Sequence, residues 1–163
     1  MNILKVNGKW NILILFISIL LAEGVGFLGQ YVSKGAMAGY NMLKKPFYAP
    51  PEIVFSIVWI ALFLLMGISA YRVFMKGKQG NNVVVAILLY IIQLIFNFFW
   101  VILFFNFRAY EVAFVELLIL LILILLTTFS FMKHDKIAAY LFIPYIVWVS
   151  FAGVLNFYIA MMN

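Results

Sequence analysis

Gln93, Asn97, Trp100 and Phe104 recur at steps of four, three and four residues. On an α-helix that rhythm sets all four on one face. Two amides and an indole on one stripe offer hydrogen-bond donors and acceptors beside aromatic surface. Tyr145, Trp148, Ala152 and Leu155 repeat the rhythm further along, with Asn156 beside them, and Trp59 and Phe63 form a third aromatic edge. Ala152 and Gly153 are small, which permits close helix packing or leaves room for a ligand. Two acids, Glu23 and Glu116, stand inside long apolar runs, where a carboxyl could take up or release a proton. His134 adjoins Asp135 in a charged turn, which reads as a solvated face and not a catalytic pair. No nucleophile–base pair, glycine-rich phosphate loop or metal-ligand spacing occurs, so neither a metal nor a cofactor is expected.

The elements that carry these residues must lie in a membrane. Of the 163 residues, 68% are hydrophobic and 10% charged, and the mean hydropathy is +1.18. A soluble domain averages roughly 45–50% apolar and about 25% charged. A chain this short cannot bury so much apolar surface internally, so the excess faces lipid. The length fits a single domain over residues 1–163. Cysteine is absent, which excludes a disulfide framework and thiolate metal sites. The net charge of +6 comes from bases at the ends of apolar runs, where they meet headgroups. They form no patch of the kind that binds nucleic acid.

A spanning helix needs about 20 mainly apolar residues, and five segments qualify. They are Trp10–Val32, Ile53–Phe74, Val83–Asn106, Tyr110–Met132 and Ile137–Met161. The fold class expected is therefore all-α: an integral membrane bundle of five transmembrane helices. Pro46, Pro50, Pro51, Gly77 and Gly80 break the chain between spans, and the tight turns at 107–109 and 133–136 force antiparallel neighbours. The first apolar run is too long for a cleaved signal peptide. Lys5, Lys9, Arg72, Lys76, Lys78, Lys133 and Lys136 fall on the N-terminal side of the membrane; Lys34, Lys44, Lys45 and Arg108 fall on the other. Seven against four puts the N-terminus in the cytoplasm and the C-terminus and first loop outside. A bacterial cell membrane is the expected location.

Polar groups in hydrocarbon must find partners, so the stripe of Gln93 and Asn97 looks into the bundle. Two readings stand side by side. The amides bond neighbouring helices, at about 0.6 kcal/mol each, or they address a bound ligand. Glu23 lies about 20 Å past Trp10, near the midplane, and is expected to be neutral and hydrogen-bonded between helices. Glu116, two turns into its span, is structural or faces a cavity. Ala22 and Gly26 make a small-xxx-small pair suited to a tight contact, within the bundle or in a dimer. Trp148 is too deep for an interfacial belt. Together the aromatic and amide stripes suggest a pocket for a flat, largely apolar ligand.

The first loop reads Tyr40-Asn-Met-Leu43-Lys-Lys45-Pro46-Phe-Tyr48-Ala-Pro50-Pro51, with Trp59 following. Helix three continues with Gln93-Leu94-x-x-Asn97-x-x-Trp100 and Phe104-Phe105, and helix four with Val115-Glu116-Leu117-Leu118. Helix five adds Pro144-Tyr145-x-x-Trp148-x-x-Phe151-Ala152-x-x-Leu155-Asn156. These four ordered blocks resemble the TspO/MBR family, the tryptophan-rich sensory proteins related to the mitochondrial translocator protein.

The resemblance implies a five-helix bundle, often a homodimer, acting as a membrane receptor or carrier. It implies an intrabundle pocket for porphyrins and for isoquinoline carboxamide and benzodiazepine drugs. By position that pocket takes in Tyr48, Trp59, Gln93, Asn97, Trp100, Glu116, Tyr145, Trp148 and Ala152, and the stripe adds Phe63. Tyr40, Lys45, Pro46, Pro50 and Pro51 would form a lid, and Lys44 or Lys45 would meet porphyrin propionates at the mouth. Two alternatives remain open: light-dependent porphyrin breakdown with Trp148 as the redox-active side chain, and proton-linked transport through Glu23 or Glu116. The family motif usually has Trp where this chain has Tyr48 and often has Trp where Gly39 stands, which weakens the photochemical alternative. Nothing basic follows Tyr158, so no dedicated sterol site is expected there.

Overall fold

The computed structural model describes residues 3–163. Helix α1 covers Ile12–Met37, α2 Glu52–Gly77, α3 Val84–Val101, α4 Tyr110–His134, α5 Lys136–Tyr140 and α6 Ile143–Met162. Five stretches are long and apolar enough to cross a membrane: Ile12–Lys34, Glu52–Gly77, Val84–Asn106, Tyr110–His134 and Lys136–Met162. The protein is thus an all-α integral membrane bundle, with span boundaries within a few residues of those read from sequence.

Packing neighbours form a ring. α1 lies along α2 on one side and α3 on the other, α3 packs on α4, and α4 packs on α6. Small residues set the α1–α2 distance. A Cβ on Gly67 would come within 2.7 Å of the Ile19 Cα, so only glycine admits this approach. Ala22 is fully buried and Gly26 lies against the Phe63 ring. The small-residue face of α1 is therefore consumed inside the bundle.

Two local departures from straight helices shape the interior. After α3 the chain widens into a π-helical turn, Ile102–Asn106, and then turns through Arg108 at φ 51. The extra residue in this turn sets Phe104 on the Trp100 ring, with centroids 5.2 Å apart, while Phe105 meets Trp100 edge-on at 6.2 Å. The fifth span, read from sequence as one helix, is two: α5 and α6, parted at Leu141–Phe142. Pro144 explains the break. It has no N–H to give Tyr140 and suits the first turn of a new helix, which is where it sits.

At the end where the N-terminus lies, Arg72 on α2 is clamped. Its Nε donates to Asp135 Oδ1 at 2.9 Å and its Nη2 to Oδ2 at 2.8 Å. Its Nη1 donates to the carbonyls of Ile3 and Lys5, which ties the N-terminal segment to α2. Burial opposes ionisation of Asp135. The bonds from Arg72 and from the Ala138 N–H, with the charges of Arg72 and Lys76, outweigh it and hold the carboxyl below its usual range. Asp135 also caps α5 through that Ala138 bond, at 2.9 Å.

Candidate ligand-binding site

The membrane half beneath the first loop contains a cavity of about 400 Å³ between α1, α2 and α3. Such a volume is within the range of small-molecule sites. Its walls are mainly apolar and aromatic. From α2 come Phe55, Trp59 and Phe63, one helical turn apart, and from α3 come Asn97, Trp100 and Val101. The Trp59 ring is tilted 32° to Phe63 at 5.6 Å and 33° to Trp100 at 6.4 Å. These three rings make a nearly continuous aromatic wall.

Tyr40 closes the loop end, in the 3-10 turn Ala38–Met42. Its ring meets Phe55 edge-on at 5.7 Å, and its hydroxyl donates to the Pro50 carbonyl at 3.3 Å. Burial pushes the Tyr40 phenol up to about 12, so it remains a neutral donor. Lys45 Nζ sits 4.0 Å from the Tyr40 ring centre. The loop is anchored across the bundle by Asn163, whose side chain accepts from the Lys44 N–H and donates to the Lys44 carbonyl, both at 3.0 Å. Pro46 and Pro51 supply carbonyls to turns at Ala49 and at Val54 and Phe55, so the loop is folded, and of the residues expected to form a lid Tyr40 lines the cavity while Lys45, Pro46, Pro50 and Pro51 do not.

The residues expected in one pocket separate into three groups. Trp59, Phe63, Asn97 and Trp100 line the cavity together with Tyr40. Gln93 and Tyr145 are fully buried behind it. The Asn97 Nδ2 donates to the Tyr145 hydroxyl at 2.8 Å, and that hydroxyl donates to Gln93 Oε1 at 3.1 Å. Trp100 Nε1 donates to Asn156 Oδ1 at 3.1 Å, and Asn156 Nδ2 donates to the Tyr110 carbonyl at 2.7 Å. These bonds engage the amides between α3, α4 and α6, so of the two readings of the stripe the interhelical one describes Gln93 fully and Asn97 in part. Ala152 borders a separate void of about 10 Å³ behind Trp100.

The third group faces the seam between α2 and α6. Trp148 meets Phe55 edge-on at 5.3 Å, and Tyr48 packs edge-on against Phe151 and Tyr158. The Tyr48 hydroxyl and Trp148 indole N–H are buried without hydrogen-bond partners among the described residues. Glu116 is buried on α4, its carboxylate oxygens have no hydrogen-bond partner among the described residues, and it does not line the cavity.

Sequence reading missed the contribution of α1. Glu23, Gly26, Phe27 and Gln30 all line the cavity. Glu23, expected to be hydrogen-bonded between helices, has no such bond among the described residues and stands on the cavity wall. Its signal was present as the spacing i, i+3, i+4, i+7 across these four positions. Reading Gly26 only as a packing residue hid it.

An aromatic cavity bordered at the loop end by Tyr40 thus lies within a bundle of five membrane spans. The sequence matches the TspO/MBR family over residues 16–162. The chain belongs to the TspO/MBR family. It is 39% identical over 153 residues to the tryptophan-rich protein TspO of Chlorobaculum tepidum, covering 93% of this chain and 97% of that protein. It is 33% identical over 118 residues to the tryptophan-rich sensory protein of Cereibacter sphaeroides, covering 72% of each. It is 34% identical over 140 residues to the human translocator protein, covering 84% of this chain and 83% of that one. Among these TspO/MBR relatives are bacterial and animal proteins.

Proposed function

We propose that this protein is a membrane receptor or carrier that binds a flat tetrapyrrole, such as protoporphyrin, in the cavity between α1, α2 and α3. The same site would take the isoquinoline carboxamide and benzodiazepine ligands associated with the family. The single observation that carries the reading is the wall of Trp59, Phe63 and Trp100, in which the Trp59 ring is tilted 32° to Phe63 and 33° to Trp100. A macrocycle gains most by offset stacking on such a surface. Tyr40 and the loop to Pro51 act as the lid, and Lys44 and Lys45 stand at the headgroup level, where propionates would remain in contact with water.

The names of two relatives, sensory protein and translocator protein, fit sensing and carriage respectively. The asymmetry of lysine and arginine favours a cytoplasmic N-terminus in a bacterial cell membrane, with the lid on the outer face. A homodimer is part of the same reading. Since the small-residue face of α1 is already engaged with α2, the second copy would use a different surface.

The test is a titration of purified protein with protoporphyrin IX, followed by tryptophan quenching in the dark and then under illumination. Saturable quenching with an unchanged porphyrin spectrum is the expected result. New absorption bands under light would replace the receptor reading with porphyrin breakdown. Absence of saturable quenching would remove the tetrapyrrole reading.

A further inference from the structure

Phe47, in the first loop, is 100% exposed, so none of the described residues covers it. A large apolar ring left in water is unfavourable, and a chain free to move would turn it away. This loop is not free. The Ala49 N–H donates to the Pro46 carbonyl at 3.0 Å and closes the turn that presents Phe47. Just before that turn, the Asn163 side chain holds both the N–H and the carbonyl of Lys44.

The neighbours of Phe47 fix where it stands. Its ring meets Tyr48 edge-on at 5.5 Å. Tyr48 in turn meets Tyr158 at 6.2 Å and Phe151 at 6.3 Å, both on α6. At 1.5 Å per residue, Tyr158 lies about 6 Å and Phe151 about 16 Å before the end of α6 at Met162. The tip of the loop therefore descends along the side of the bundle instead of standing above the helix ends. On that helix Val154, Phe157 and Tyr158 are themselves 52%, 44% and 44% exposed, as lipid-facing residues are. Since α6 belongs to a membrane span, the space outside Phe47 is the boundary between headgroups and acyl chains.

We propose that Phe47 is a membrane anchor of the first loop, inserted into the phospholipid boundary beside α6. The partner is the bilayer itself, and the contact is apolar burial of one ring at interfacial depth. Lipid thereby adds to the Asn163 bonds in holding the loop down, so the loop lifts only when Phe47 leaves the lipid. The inference rests on the bundle spanning a membrane and not on what the cavity binds.

The chain has no cysteine, so one Cys substitution takes one label. Phe47→Cys carrying the fluorophore NBD is placed in phosphatidylcholine nanodiscs. Its quenching is measured with a lipid nitroxide near the headgroup, with one near the end of the acyl chain, and with iodide in the water. Val154→Cys serves as the lipid-facing reference. The Phe47 label should be quenched at least about twofold more by the shallow nitroxide than by the deep one, and by iodide little more than the reference. Strong iodide quenching with no nitroxide effect would place the tip in water and overturn the proposal. Unlabelled variants test the fastening. Phe47→Ser should speed hydrogen exchange at the Ala49 amide about fivefold in nanodiscs, while Phe47→Leu keeps the wild-type rate. An unchanged Ala49 rate in Phe47→Ser would overturn the fastening role.

Discussion

Asn97 on α3 and Tyr145 on α6 are joined by a 2.8 Å hydrogen bond, Nδ2 to hydroxyl, at the back of the aromatic cavity. The same hydroxyl donates to Gln93, so one phenol satisfies two amides inside the membrane. This pairing makes the network structural and leaves the rings in front of it free to meet a ligand.

Tyr145→Phe should therefore cost stability more than affinity. Two interhelical bonds at about 0.6 kcal/mol each predict a loss of about 1 kcal/mol. Unfolding in mixed micelles checks the loss, and ligand affinity should stay within about twofold of wild type, since the phenol does not reach the cavity.

Gly67→Ala should separate α1 from α2. Its new Cβ would press on backbone, at 2.7 Å from the Ile19 Cα and 3.0 Å from the Ser18 carbonyl oxygen, and neither can rotate away. A loss of about 1–3 kcal/mol is expected. Gly24→Ala is the control: nothing lies within 4 Å of that Cβ, so stability should be unchanged or slightly raised. Thermal unfolding of the two variants side by side tests the α1–α2 contact.

The Arg72–Asp135 clamp predicts a pH dependence. The folded protein holds the Asp135 carboxyl below its ordinary value of 3.8, so the unfolded chain binds a proton more readily. The stabilisation is fully present above that ordinary value and is lost as pH falls through the lowered one. Asp135→Asn should remove this acid-limb slope and destabilise the protein by about 3 kcal/mol, because it leaves a buried Arg72 without its counter-charge. Stability measured against pH for both proteins gives the comparison.

How far the sequence foretold this arrangement depended on periodicity. Five spans followed from apolar runs, and the inward stripe of Gln93, Asn97 and Trp100 followed from helical spacing. The split of α5 from α6 was signalled by Pro144, yet hydropathy alone reads through it because a proline costs little in apolar content. The π-helical turn at Ile102–Asn106 has no comparable signature, since its residues also suit an α-helix. Glu23 illustrates a different limit. An isolated acid in a span shows that a polar environment is needed, but whether a partner helix or a cavity provides it depends on how close α2 comes, which Gly67 and Gly26 determine together.

Trp148 separates the two halves of the family-based expectation. It packs on Phe55 at the α2–α6 seam and does not line the cavity, so Trp148→Phe should leave dark porphyrin affinity within about twofold of wild type. A larger loss, measured by equilibrium titration, would move the ligand toward that seam.

The most direct test of the central claim is to fill the cavity. Ser56 lines it on α2, one turn before Trp59, and Ser56→Phe adds a ring to the space while keeping both partners of the Asn97–Tyr145 bond. Protoporphyrin affinity measured by porphyrin absorbance, with unfolding recorded on the same preparation, should fall at least about tenfold while stability holds. Wild-type affinity in a folded Ser56→Phe protein would contradict the assignment of the ligand to the space between α1, α2 and α3.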